Sequence, residues 1–159
     1  SFGMAFAKAQ ISAGNPLPEE GALIVTVNDS DKETVIPILR RFRDLGFEIM
    51  ATQGTKNYLD RLGVPAKRVD KVNEGQPSIV DHINAGDIVL LINTPLGKKS
   101  QYDDYAMRRA AITHKLPYLT TMSATSAACD AIIALKSRQR EVCSIQERIA
   151  SLNASTQSI

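Results

Sequence analysis

The chain has 159 residues, 43% of them hydrophobic and 23% charged, and a formal net charge of +2. That length suits one domain with its own core and is cramped for two. No apolar run approaches the roughly 18 residues of a membrane span, and the even mixing of basic and acidic residues leaves no nucleic-acid footprint, so neither a membrane nor a nucleic acid is expected as partner. Arg40-Arg41 and Arg108-Arg109 read as solvated helix faces. Cys129 and Cys143 are too few for a disulfide framework and, with neighbours that look helical and half-buried, suit a reduced, cytoplasmic setting. Neither stands at ligand spacing from His82 or His114, and no metal site is expected.

In chain order, residues 2–11 form a helical stub that begins without an initiator Met, as in a piece of something longer. Residues 12–18 are dense in Gly and Pro and read as a linker, so the domain proper starts near Gly21. The continuous apolar run of residues 22–27 suits a strand buried on both faces. Ser30-Asp31-Lys32-Glu33 has the pattern of a capping box, and Val35, Ile38, Leu39 and Phe42 follow at helical spacing until Leu45-Gly46.

The rhythm repeats: strand 47–51, helix 55–62 closed by Gly63, strand 68–72, helix 78–85 closed by Gly86, strand 88–92, helix 103–115, strand 118–121 and helix 124–135. Ser144-Ile145-Gln146-Glu147 reads as a second capping box that opens a terminal helix with Ile145, Ile149 and Leu152 on one face, and residues 154–159 as a frayed tail. Alternating strands and helices predict a parallel sheet wrapped on both sides, with ligands outside the carboxyl ends of the strands where strand order reverses.

Reading off those ends gives Thr26, Thr52 with Thr55, Lys71 with Val72, and Asn93 with Thr94. Ala51-Thr52-Gln53-Gly54-Thr55 carries the strongest signal, because it joins a strand to a helix. Unpaired N–H groups and the macrodipole favour an anion there, Gly54 lets backbone approach closely, and the threonines add donors. A phosphate is one reading of the pentapeptide; simple capping by Thr52 or Thr55 is the other. Glu74 and Asp81 are the carboxylates nearest that position and the candidates for a catalytic carboxylate, but they read more readily as a loop charge and a solvent-facing helical charge. Gly97-Lys98-Lys99-Ser100 lacks the earlier glycine and the Mg²⁺-holding hydroxyl of a P-loop and reads as a basic loop. Neither GxGxxG nor GxSxG occurs, so a dinucleotide cofactor and an esterase mechanism lack support.

The strings Phe6-Ala7-Lys8-Ala9-Gln10, Ala51 to Thr55, Asp70-Lys71-Val72-Asn73-Glu74-Gly75-Gln76-Pro77, Leu91-Ile92-Asn93-Thr94 and Arg108-Arg109-Ala110-Ala111 together resemble the C-terminal allosteric domain of the large subunit of carbamoyl-phosphate synthetase. The resemblance covers essentially the whole chain. It implies a three-layer α/β fold like that of methylglyoxal synthase, flavodoxin-like, with about five parallel strands. Residues 1–20 would then end the preceding synthetase domain and its linker, residues 21–153 form the allosteric domain, and residues 154–159 the tail.

The same resemblance implies a regulatory role without chemistry or cofactor, in which UMP inhibits and IMP binds an overlapping site. Lys32, Thr52, Gly54, Thr55, Lys71 and Thr26 would hold the phosphate. Val72, Ile79, Asn93, Asp103 and Met107 would meet the sugar and base, and Tyr118 and Thr120 the ornithine activator at an interface with the preceding domain. Pro95 stands where the enteric pattern has threonine, and Met107 replaces a branched aliphatic residue. The parent, in pyrimidine and arginine biosynthesis, would use ATP and Mg²⁺ at sites outside this sequence, with the rest of the large subunit and a glutaminase small subunit as partners. One alternative is a methylglyoxal synthase-type lyase acting on dihydroxyacetone phosphate. Such enzymes carry a Gly-Gly-Asp-Gln-like segment after the third strand, where this chain has Asn73-Glu74-Gly75-Gln76. A domain that binds no effector is the third reading.

Overall fold

A computed structural model describes residues 2–95, 97 and 101–157. The strands are β1 (Ala22–Thr26), β2 (Glu48–Ala51), β3 (Lys67–Arg68), β4 (Leu90–Asn93) and β5 (Tyr118–Leu119). The helices are α1 (Phe2–Ser12), α2 (Lys32–Asp44), α3 (Gln53–Arg61), α4 (Ile79–Ala85), α5 (Gln101–Thr113) and α6 (Met122–Thr156). All pairings are parallel, in the order β3-β2-β1-β4-β5. Strand order reverses between β1 and β4, and there Thr26 pairs with Asn93.

The apolar run of β1 has a direct cause in this sheet. Leu23 and Val25 join one core with α1, α2, α3 and α6, whereas Ile24 joins a second core with Ile79 and Ile83 of α4 and Met107 and Ala110 of α5. β4 repeats the alternation, with Leu90 and Ile92 on the first side and Leu91 on the second. Both faces are covered, so both strands are apolar up to their carboxyl ends, where Thr26 and Asn93 stand. Phe42 of α2 is fully buried and meets Phe47 edge-on at 5.4 Å, and a side chain of that size stabilises the fold by about 1.5–3 kcal/mol through burial alone.

Gly46, Gly63 and Gly86 follow α2, α3 and α4 with φ of 96°, 68° and 75°, the left-handed region that stops a helix cheaply. Three expectations for the first half shift. The cap before α2 is Asn28: its side chain accepts from the N–H of Asp31 at 2.9 Å, opening a 3-10 turn (Asp29–Asp31), while Ser30 donates to Asn28. Helix α3 begins at Gln53, two positions before Thr55, and β3 ends at Arg68, so Lys71 and Val72 lie in the loop beyond it. That loop folds back on Asp70, whose carbonyl accepts from Ile79 N at 3.0 Å. Gly75 packs so closely there that a Cβ would stand 2.4 Å from the Asp70 carboxylate.

The second capping box is absent. Helix α6 runs 35 residues without a break, carrying Ser144 and Glu147 in mid-helix and Ala154 in its last turn. Between Leu135 and Ser144 the chain offers neither Gly nor Pro, so nothing ends the helix. Residues 137–157 are exposed on every face, with Ile145, Ile149 and Leu152 more than half exposed. At the other end, residues 2–20, expected to lie outside the domain, pack onto it. Ala7 is 1% exposed, Leu17 enters the core, and a Cβ on Gly3 would stand 3.0 Å from the Asp130 carbonyl oxygen of α6.

Candidate functional site

The reversal of strand order places the ends of β1 and β4 side by side, and two arrays of polar groups meet there at Thr26. The first is a rim at the start of α3. Thr52 is its N-cap residue in extended backbone, but the side chain does not cap; its hydroxyl lies 2.9 Å from that of Thr26, and both residues are 2% exposed. One proton joins the two oxygens, which leaves one O–H unassigned. Thr55 accepts from Val27 N at 3.3 Å and Thr94 from Asn28 N at 3.0 Å, so each keeps its O–H as a donor. Lys56 is the first residue of α3 whose N–H bonds back along the helix, to Thr52 O at 2.7 Å. The N–H groups of Gln53, Gly54 and Thr55 therefore lack intrahelical partners.

Lys32, from the first turn of α2, leans over this end. Its ammonium is 3.9 Å from where a Gly54 Cβ would stand and 2.5 Å from the Asp29 carboxylate. That contact holds the Asp29 carboxyl below its ordinary pKa. Surplus donors and a cation define a rim that suits an anion.

The second array surrounds a cavity lined by Thr26, Lys71, Val72, Ile79, Asn93, Asp103, Asp104 and Met107. Seven of these are the strand-end and sugar or base positions expected from the sequence; Asp104 was missed. Its position about one turn before Met107, on the same helix as Asp103, gave no signal of its own, because two adjacent acids in a first turn also read as dipole complements. The cavity holds about 10 Å³, room for one water at most, so it is shut in this conformation. Met107 is 4% exposed, and Asn93 1%. The Asn93 amide donates to Asp104 Oδ1 at 3.0 Å and to the Tyr118 hydroxyl at 2.7 Å, while its Oδ1 is buried without a partner among the described residues, a situation that costs about 1–3 kcal/mol.

Several expected residues stand elsewhere. Asp81 is the reciprocal partner of Ser78 in the capping box of α4: Ser78 N donates to its carboxylate at 2.7 Å, and these bonds lower its pKa. The sequence Ser78-Ile79-Val80-Asp81 carried that signal. Glu74 is exposed. Tyr118 meets Asn93 through its hydroxyl, with the Arg108 guanidinium 6.0 Å from its ring centroid, and Thr120 lies beyond β5; neither lines the cavity. Pro95 is exposed, and its carbonyl accepts from Asn28 Nδ2 at 3.2 Å. Of the basic loop, Lys98, Lys99 and Ser100 lie outside the described residues. Cys129 is buried, which pushes its thiol pKa up, and Cys143 is exposed. Among the described residues no His, Cys, Asp or Glu cluster is placed to hold a metal ion, and no helix is long and apolar enough to cross a membrane. A roomier concavity, about 700 Å³ between Glu19, Glu20 and the outer half of α6, is far from the strand ends and lined by charges of both signs.

A parallel sheet of this order with a polar site at its reversal defines a class, and the chain belongs to it: the family described as MGS-like domain matches residues 34–120. Within that class the chain is similar to the C-terminal part of carbamoyl phosphate synthase large chains. It is 49% identical over 146 residues to the large chain of Gemmatimonas aurantiaca, covering 92% of this chain and 13% of that one. Identity to the large chain, C-terminal section, of Methanopyrus kandleri is 47% over 139 residues, 87% of this chain and 26% of that protein. The C-terminal section of Aquifex aeolicus is 48% identical over 140 residues, again 26% of its length. The chain thus spans a quarter or less of the length of most relatives of this kind. The crystal structure of methylglyoxal synthase from Elizabethkingia anophelis superposes with a TM-score of 0.57 over 71% of this chain and 79% of that one, at 19% identity, a likeness of fold.

Proposed function

We propose that this chain is an effector-binding domain of a carbamoyl phosphate synthase large chain and binds a nucleoside monophosphate, UMP or IMP, at the end of β1 and β4. The observation that carries this reading is the meeting at Thr26 of a donor-rich rim and a half-apolar cavity, at the one place where strand order reverses. The phosphate would sit at the start of α3 among Thr26, Thr52, Gly54 and Thr55, with Lys32 and Lys71 supplying charge. The sugar and base would enter between Asn93, Val72 and Ile79 on one side and Asp103 and Met107 on the other. A drug-sized ligand fills hundreds of Å³, so the first turns of α5 must part from the loop that carries Lys71 and Val72. Effector binding is thereby tied to a change of shape.

In a parent protein such a change regulates by differential affinity: a nucleotide that fits one state better shifts the equilibrium by that difference. On this reading the chain needs no cofactor. ATP, Mg²⁺, the remaining synthetase domains and a glutaminase subunit belong to the parent, and ornithine would approach from the Tyr118 and Thr120 side. Calorimetric titration of the 159-residue chain with UMP and IMP tests the proposal. Saturable binding of either, in competition with the other, is expected; heat of dilution alone at millimolar nucleotide would refute it.

A further inference from the structure

The Asn93 side chain is held in one orientation by two neighbours of unequal authority. The Asp104 carboxylate, 3.0 Å from Nδ2, can only accept when ionised, whereas the Tyr118 phenol, 2.7 Å away, can donate or accept. Turned over, the amide would set its carbonyl oxygen against Asp104, acceptor to acceptor. Asp104 therefore decides which way the amide lies, and Tyr118 takes the second hydrogen in the orientation Asp104 allows. Both hydrogens of Nδ2 are committed. What Asn93 has left for the cavity it lines is Oδ1, which is buried and without a partner.

The geometry points to a donor-reading position: Asn93 accepts one N–H or O–H from the bound nucleotide through Oδ1, and Asp104 and Tyr118 are positioning residues that keep it an acceptor. This rests on the nucleotide reading above. UMP offers three donors of the required kind, the ring N–H of its oxo base and the 2′- and 3′-hydroxyls of its ribose. A ligand with a bare ring nitrogen, or with no hydroxyl, at that point would face the carbonyl lone pair to lone pair or leave it unpaired. Sites built around a buried polar partner discriminate strongly against such analogues.

Calorimetry on the 159-residue chain with UMP, CMP, 2′-deoxy-UMP and 3′-deoxy-UMP tests this. CMP carries an acceptor where UMP carries the ring N–H, and each deoxy analogue lacks one ribose donor. At least one of the three analogues should bind tenfold or more weakly than UMP, and which one does identifies the donor. The same ratio should fall toward one in Asp104→Ala, persist in Asp104→Asn, whose carbonyl can still accept from Asn93, and be reduced in Tyr118→Phe. A purely structural role for Asp104 would weaken all four ligands alike and leave the ratio standing. Equal binding of UMP and all three analogues to the wild-type chain overturns the inference without any variant, so a misfolded Asp104→Ala does not rescue it. A ratio unchanged in a folded Asp104→Ala also overturns it. Absence of binding by every nucleotide refutes the nucleotide reading itself, a result distinct from binding without discrimination.

Discussion

The two ends of the candidate site are built on opposite plans. At the rim, the threonines at the ends of β1, β2 and β4 and in the first turn of α3 have their oxygens engaged within the protein, and what remains is a surplus of donors beside the Lys32 ammonium. At the cavity, apolar side chains close on one another and the surplus is a single acceptor, Asn93 Oδ1. Backbone N–H groups at a helix start cannot move without unwinding the helix, so the rim is ready before a ligand arrives. The cavity is held shut by side chains from α5 and the 70–78 loop, which can part without breaking the sheet. On the proposed reading an anion would have a fixed seat, and what is attached to it would open its own place.

The largest expected effect bears on the closed end. Met107→Ala removes a buried side chain from the second core and should cost about 2–5 kcal/mol of stability, read by urea denaturation, while enlarging the space beside Asn93. A loss under 1 kcal/mol would mean that the cavity is looser than described. Next, Lys71 lines the cavity together with Thr26. Lys71→Ala should weaken UMP binding tenfold to a hundredfold, since a charge-assisted contact is worth about 1.5–3 kcal/mol. Unchanged affinity would detach the cavity from the rim.

Gly54→Ala sharpens the distinction. Its Cβ meets nothing closer than the Lys32 ammonium at 3.9 Å, so the fold should tolerate it, yet an anion seated between Lys32 and the start of α3 would collide with it. Inorganic phosphate and UMP should both bind several-fold more weakly, with the melting temperature unmoved. If phosphate binds as before, the anion does not sit there. Smaller still, Pro95→Thr restores an N–H and a hydroxyl at the exposed margin, and should strengthen nucleotide binding by no more than about 1 kcal/mol. The smallest effect is none: incubation with dihydroxyacetone phosphate should yield no methylglyoxal, because Asp81 is committed to capping α4 and Glu74 is exposed. Turnover abolished in Glu74→Gln would make the chain a lyase.

What the sequence by itself determined is everything that depends on period and punctuation. The runs at 22–27 and 88–92 can be buried only on both faces, glycines at 46, 63 and 86 stop helices, and Thr52, Gly54 and Thr55 stand where a strand meets a helix; these are local facts, and the sheet and most of its ligand-bearing ends follow from them. Tertiary structure decided what depends on which side chain reaches which. Ser30 had the spacing of a cap, but Asn28 lies nearer the turn's free N–H groups, and the box at Ser144 could not interrupt a helix that nothing before it ends. Thr52 turns from its own helix to Thr26, because the parallel pairing of β1 with β2 brings the two hydroxyls together across 26 positions of chain. Asp104 lines the cavity and bonds Asn93 across the crossover from β4 to α5, and Tyr118 meets Asn93 because β5 lies beside β4. Hydrogen bonds between residues far apart in sequence leave no periodic trace in it, since their partners are chosen by the packing of the sheet and not by their neighbours along the chain.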